Sequence, residues 1–185
     1  MPAAEQIPFV LRRLAPAEAV ARADRLAEIY QRALGHEAEP ATRWASNLRM
    51  CVQEYAGATV LAALSPRGEE ILGFVYGFDL QLQHWWPQEI RGVLEERGLG
   101  TWLEDCFELV DVEVDPQAQG RGLGTALLSR QLTDTPHRRV LLSTDPDGRA
   151  RQLYRRLGFV DLVPDFVYEG TTYRAALMGW ERGAA

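Results

Sequence analysis

Along this chain the spacing of apolar residues switches repeatedly between the period of a strand and that of a helix. Phe9-Val-Leu-Arg-Arg-Leu14 reads as a first strand. Pro16 opens a helix with Val20, Ala23, Leu26, Tyr30 and Ala33 on one face, stopping at Gly35. A second helix is predicted from about Thr42 to Tyr55, with Trp44, Leu48, Cys51, Val52 and Tyr55 at helical spacing and Gly57 as its stop. Thr59–Leu64 and Ile71–Asp79 read as strands around the turn Ser65-Pro-Arg-Gly68. Residues 81–104 hold neither period for long and are predicted to be an irregular insert. Within it Pro87 starts a short helix, with Ile90, Val93 and Leu94 inward and Gly98 as its stop. Phe107–Val114 is a strand ended by Asp115-Pro116, because proline has no N–H for a central ladder. A helix over Leu123–Leu132, a strand over Val140–Thr144 and a helix over Arg149–Leu157 follow, the last stopped by Gly158. Two strands close the chain, about Phe159–Tyr168 and Tyr173–Trp180, with a turn near Gly170. The order predicts one mixed α/β domain over residues 1–185, a single sheet of about seven strands with helices on both faces.

Composition narrows the classes. The chain has 185 residues, 46% hydrophobic and 25% charged, enough for one core and ordinary for a globular protein. Apolar runs such as Ile71–Phe78 are too short to span a bilayer, and Glu5 and Gln6 stand where a secretory leader carries basic and apolar residues. Cys51 and Cys106 form neither a disulfide framework nor a metal-ligand spacing, so a cytoplasmic protein with reduced thiols is expected. The net charge of −6 argues against broad binding to nucleic acid. The charge is uneven: Arg121–Arg156 holds eight arginines against three aspartates, a local +5. That segment is either a solvated helix face or the place where an anionic ligand binds. His36, His84 and His137 are scattered and give no metal site. Trp85, Trp86 and Trp102 flank the insert, where such rings stack on a substrate or pack a loop onto the core.

Val112-Glu-Val-Asp-Pro-Gln-Ala-Gln-Gly-Arg-Gly-Leu-Gly-Thr-Ala-Leu-Leu128 carries the chemistry: a strand, a glycine-rich turn and the start of a helix. Gly120, Gly122 and Gly124 let backbone N–H groups come close to a ligand. The first helical turn adds unpaired N–H groups at the positive end of the dipole, which suits a phosphate. A P-loop needs a lysine, and this chain has none. The spacing Gly-x-Gly-x-Gly also differs from the dinucleotide fingerprint Gly-x-Gly-x-x-Gly.

Gln119-Gly-Arg-Gly-Leu-Gly124, following Val114-Asp-Pro116, resembles the acyl-CoA-binding motif of the GNAT superfamily of N-acyltransferases. Ala150-Arg-Gln-Leu-Tyr-Arg-Arg-Leu-Gly-Phe159 resembles the family's later motif, Asn-x-x-Ala-x-x-Leu-Tyr-x-x-x-Gly-Phe. The family asparagine falls at Asp147, which can cap the helix that follows but cannot donate a hydrogen bond. The resemblance implies a mostly antiparallel sheet splayed at the cofactor site. It implies that acetyl-CoA lays its pyrophosphate on Gln119, Gly120, Arg121, Gly122, Leu123, Gly124 and Thr125, and its pantetheine arm along Val112 and Val114, with Asp147 nearby. It implies Tyr154 as the acid that protonates the leaving thiolate. Helical spacing puts Tyr154 on one inward face with Ala150, Leu153 and Leu157. Glu108 is placed where family members carry a base. Asp111 and Glu113 stay open beside it, because a bulge in this strand would break the alternation that separates them.

The expected activity is transfer of an acetyl group from acetyl-CoA to a primary amine of a small molecule or peptide, without metal, membrane or nucleic acid, and with a homodimer as the family's frequent state. A non-catalytic acyl-CoA-binding or regulatory module on the same fold is the alternative, and a domain holding another phosphate ligand on the glycine turn is a third reading.

Overall fold

The computed structural model describes residues 8–35 and 38–184. Glu5, Gln6 and His36 lie outside the described residues. The element order is β1 (Val10–Leu14), α1 (Pro16–Ala21), α2 (Ala23–Leu34), α3 (Ala38–Glu54), β2 (Thr59–Leu64), β3 (Ile71–Asp79), α4 (Trp85–Glu96), β4 (Cys106–Val114), α5 (Leu123–Asp134), β5 (Arg139–Thr144), α6 (Arg149–Arg156), β6 (Val160–Val167) and β7 (Arg174–Glu181). The seven strands form one mostly antiparallel sheet in the order β1-β2-β3-β4-β5-β7-β6. The described pairings are antiparallel except β4 with β5, which is parallel and registered only over Cys106–Glu108 against Arg139–Leu141.

The chain divides into two compact units: residues up to Phe78 with Asp111–Asp134, and Asp79–Val110 with Thr135 onward. β4 crosses from the second to the first at Val110. In the first unit Ala19, Ala23, Leu26, Ile29 and Leu48 bury the inward faces of the helices, and Phe74, Leu123 and Leu127 are likewise almost solvent-free. Trp44 stacks on Tyr30 with ring centroids 5.1 Å apart and meets Phe74 and Tyr76 on its other sides. In the second unit Ile90 and Leu94 of α4 pack against Cys106, Leu141, Leu162 and Leu177.

Three expectations are corrected. The helix from Pro16 to Gly35 is two helices separated at Arg22, whose φ of −96° and ψ of 5° break the α geometry. Its buried stripe runs through Ala19, Ala23, Leu26 and Ile29, while Val20, Tyr30 and Ala33 are half-buried. The irregular insert is largely ordered: α4 fills twelve of its residues and a short 3-10 turn covers Gly100–Leu103. The helix begins at Trp85, two residues before Pro87, because proline is accepted throughout a first turn whose N–H groups need no helical partner. On α6 only Tyr154 is buried; Ala150, in the first turn, is exposed.

Candidate active site

β4 delivers the chemistry of both units, and it does so with an irregularity. Leu80 N–H donates to Cys106 C=O, and Asp115 N–H donates to Leu72 C=O, each at 2.9 Å. Nine residue steps along β4 therefore run beside eight along β3. One extra residue is the mark of a β-bulge. Strict alternation does not hold across such a bulge.

In the first unit, the end of β4 is pinned before it turns. Asp115 is buried, accepts from Gln117 N–H at 3.1 Å and holds the Arg32 guanidinium at 2.5 Å. Gln119 Nε2 donates to Val114 C=O at 3.0 Å, folding the turn back on the strand. Gly120 and Gly122 take left-handed φ values of 74° and 83°. No atom lies within 4 Å of where a Cβ would stand on either one. The residues from Gln119 to Gly122 are exposed, and Leu123 is buried as α5 begins. Ala126 N–H makes an early helical bond, to Gly122 C=O, so the N–H groups of Leu123, Gly124 and Thr125 precede the regular ladder. This open, glycine-floored turn at a helix start has room and donors for a phosphate. Val112 and Val114 are half-buried. Asp111 accepts from Trp44 Nε1 at 2.8 Å. Burial, helped by Asp111, pushes the Glu113 carboxyl up to about 8.

In the second unit a cavity of about 300 Å³ is lined by Trp85, Trp86, Tyr168, Ser143 and the Glu108–Val110 stretch of β4. Glu108 is 8% exposed and its Oε2 has no hydrogen-bond partner. Burial alone pushes its carboxyl up to about 8. Around it the polar atoms form a chain: Trp86 Nε1 donates to Tyr168 Oη at 2.9 Å, and Tyr168 Oη donates to Ser143 Oγ at 3.0 Å. Burial also raises the Tyr168 phenol above its ordinary value. Trp85 stacks on Tyr168, centroids 5.8 Å apart and planes 15° from parallel, while 65% of Trp85 stays exposed. Of the three tryptophans flanking the insert, Trp86 and Trp102 pack it down, and Trp85 leaves ring surface open.

Tyr154 is buried, with its ring 5.6 Å from Phe159. It stands in the second unit with Glu108 and Asp147, whereas Val112, Val114 and Gln119–Thr125 stand in the first. Asp147 does not cap α6. Gly148 occupies the N-cap position, and Asp145 closes the preceding turn by accepting from Asp147 N–H at 2.9 Å. One residue too early to cap, the Asp147 carboxylate is 84% exposed and reaches Arg174 at 3.8 Å. Ser143 and Tyr168 escaped the sequence reading. Each sits at or just past the end of a strand, and no local pattern ties them to Glu108. His137 bridges Asp105 at 3.0 Å and Asp79 at 2.8 Å. Among the described residues no helix is long and apolar enough to cross a membrane.

The sheet order and the glycine turn before α5 define the architecture, and comparison with known proteins gives the family. The family model for the acetyltransferase (GNAT) family matches residues 23–159, so the chain belongs to that family. A curated relative, the GCN5-like protein acetyltransferase Rv2170 of Mycobacterium tuberculosis, is 35% identical over 136 residues, 68% of this chain and 66% of that protein. The chain thus spans just under two thirds of that relative's length. A GNAT-family structure from Desulfovibrio desulfuricans superposes with a TM-score of 0.66 at 17% identity, covering 94% of this chain and 99% of that one. The yncA structure from Salmonella typhimurium, solved with acetyl-CoA, gives a TM-score of 0.61 at 19% identity and covers 94% of each chain.

Proposed function

We propose that this chain transfers the acetyl group of acetyl-CoA to a primary amine of a small molecule or peptide. The observation that carries the reading is Glu108: a buried carboxyl, one oxygen unpartnered, on the wall of a cavity with room for a substrate. An alkylammonium with a pKa near 10.4 must lose a proton before its nitrogen can attack. A carboxyl whose own value is about 8 is a stronger base than an ordinary glutamate, so the transfer is less uphill. The residues of the glycine turn fit a pyrophosphate, because Gly120 and Gly122 leave open the space a Cβ would fill. Acetyl-CoA, when bound, supplies the thioester. In the transfer Glu108 takes the proton of the ammonium, an N–C bond replaces the C–S bond, Tyr154 gives its proton to the leaving sulfur, a role assigned by its place in the family motif, and the second proton lost by the nitrogen restores Tyr154. Half-buried Val112 and Val114 offer backbone to the pantetheine arm. We assign Arg121, exposed in the turn, to the phosphates.

The alternative, a non-catalytic or regulatory module, predicts binding of acetyl-CoA with no thiol release across the amine panel. The exposed Asp147 does not favour that reading, because it leans toward Arg174 without capping a helix.

The test is a thermal melt with saturating acetyl-CoA, with ATP and NAD as controls, followed by thiol release with an amine panel. Ligand at about 100 times its Kd adds about 2.7 kcal/mol, which raises the melt by about 5–10 °C at this size. No rise with acetyl-CoA, or a rise of the same size with ATP or NAD, overturns the reading.

A further inference from the structure

We propose that the acceptor is an arylalkylamine: a flat aromatic body bearing one primary amine and no carboxylate, with Trp85 as the residue that selects it. The inference rests on Glu108 as the base of the proposed transfer, and deepens it.

Three features of the second unit's cavity carry it. Its rings are arranged as a platform. Trp85 and Tyr168 lie nearly parallel at 5.8 Å, Tyr168 is fixed by Trp86 and Ser143, and most of Trp85 is left uncovered. An aromatic body gains stacking on such a platform, and an adjacent ammonium gains from the ring faces. The charge count is also restrictive. Glu108 is the one carboxyl among the described lining residues, and its Oε2 is free to receive the amine. A polyamine would find no second carboxylate among the described lining residues for its second ammonium. Lastly, the described lining residues include no arginine, lysine or histidine. The carboxylate of a free amino acid would find no cation there and would face Glu108. The volume of about 300 Å³ suits a compact ligand.

The experiment compares phenethylamine, ethylamine, phenylalanine and spermidine as acceptors, by kcat/KM, and titrates the same four into the protein calorimetrically without acetyl-CoA. Phenethylamine is expected to lead in both. In Trp85→Ala the preference for phenethylamine over ethylamine should fall about tenfold, as loss of one stacking and cation–π surface implies. Trp85→Phe should restore most of that preference, and Trp85 is exposed enough that neither variant disturbs the core. Equal or better use of spermidine or phenylalanine, or a preference unchanged in Trp85→Ala, overturns this inference while leaving acetyl transfer standing. Binding of phenethylamine with no response to acetyl-CoA instead supports the selective cavity and overturns the transferase reading. Absence of phenethylamine binding in an active enzyme overturns the inference alone.

Discussion

Replacing Glu108 by glutamine keeps the side chain's size and removes its ionisation, so it tests burial and catalysis in one variant. Burial raises this carboxyl from an ordinary 4.5 to about 8. Between those pH values the folded chain holds a proton that the unfolded chain has lost. The contribution to stability is therefore fully present below about 4.5 and is lost as pH rises through about 8. The full span corresponds to about 5 kcal/mol, and relaxation around an open cavity reduces it to about 2–3 kcal/mol. The wild-type melt should fall accordingly by about 5–10 °C from pH 4.5 to pH 8 on account of this group. In Glu108→Gln that share of the slope disappears. The amide brings unpaired N–H donors into the cavity, so the variant starts about 1–3 kcal/mol lower at pH 4.5, where the wild-type carboxyl is neutral, and the gap closes toward pH 8. The assay for the second role is kcat/KM against pH with a saturating thioester. The wild type should rise to a break near pH 8, where Glu108 becomes ionised. The variant should lose that break and about 10²–10⁴-fold in rate. A variant that keeps the break near 8 refutes Glu108 as the base. A variant whose melt has the wild-type pH slope refutes the burial argument beneath it.

Glu113→Gln separates the two raised carboxyls: it should remove a second share of the stability slope, since Glu113 is also pushed to about 8, yet leave the break in kcat/KM in place. Gly122→Ala puts a Cβ on a residue at φ 83° with empty space around it, so its cost is backbone strain of about 1–2 kcal/mol, about 3–6 °C in the melt. The same variant should give a smaller rise with acetyl-CoA, because the methyl group fills the floor of the turn; an unchanged rise removes the phosphate from this turn. Tyr154→Phe should retain that rise and lose about 10²-fold in turnover, checked by thiol release; unchanged turnover removes Tyr154 from the acid role.

The elements whose fate depends on local spacing were legible. β2 and β3 have the predicted bounds, because apolar residues dominate both runs between turn residues. The glycine turn was legible as well, since its need for left-handed φ is written in residue type. The break at Arg22 was not. Nothing in Ala21-Arg22-Ala23 disfavours a helix, and the residues buried on either side of the break, Ala19 and Ala23, would sit on one face of an unbroken helix as well. The insert at 81–104 was misjudged because its apolar positions belong to a helix held by tertiary contacts to Cys106, Leu141 and Leu162. The capping role given to Asp147 failed by one residue. Capping depends on where the first helical φ/ψ falls, and type alone does not fix that. The cavity partners Ser143 and Tyr168 are 25 residues apart in sequence and meet only when β5 and the end of β6 are folded.

The polar accounting of the second unit explains why Glu108 stands out. Trp86 donates to Tyr168 and Tyr168 donates to Ser143, so each of these groups has a partner. Their hydrogen bonds offset the cost of burying them. Glu108 enters the same wall with an unpartnered oxygen and no cation among the described residues lining the cavity. An unsatisfied buried carboxyl lowers stability, and an apolar side chain of similar volume would remove that cost. A role in holding the fold therefore does not account for it. A role in taking a proton does, because the burial that destabilises the ion is what lifts its basicity toward that of an amine. The same burial makes the cavity selective: one desolvated carboxyl, facing ring surfaces and aliphatic walls, can neutralise one ammonium and no more.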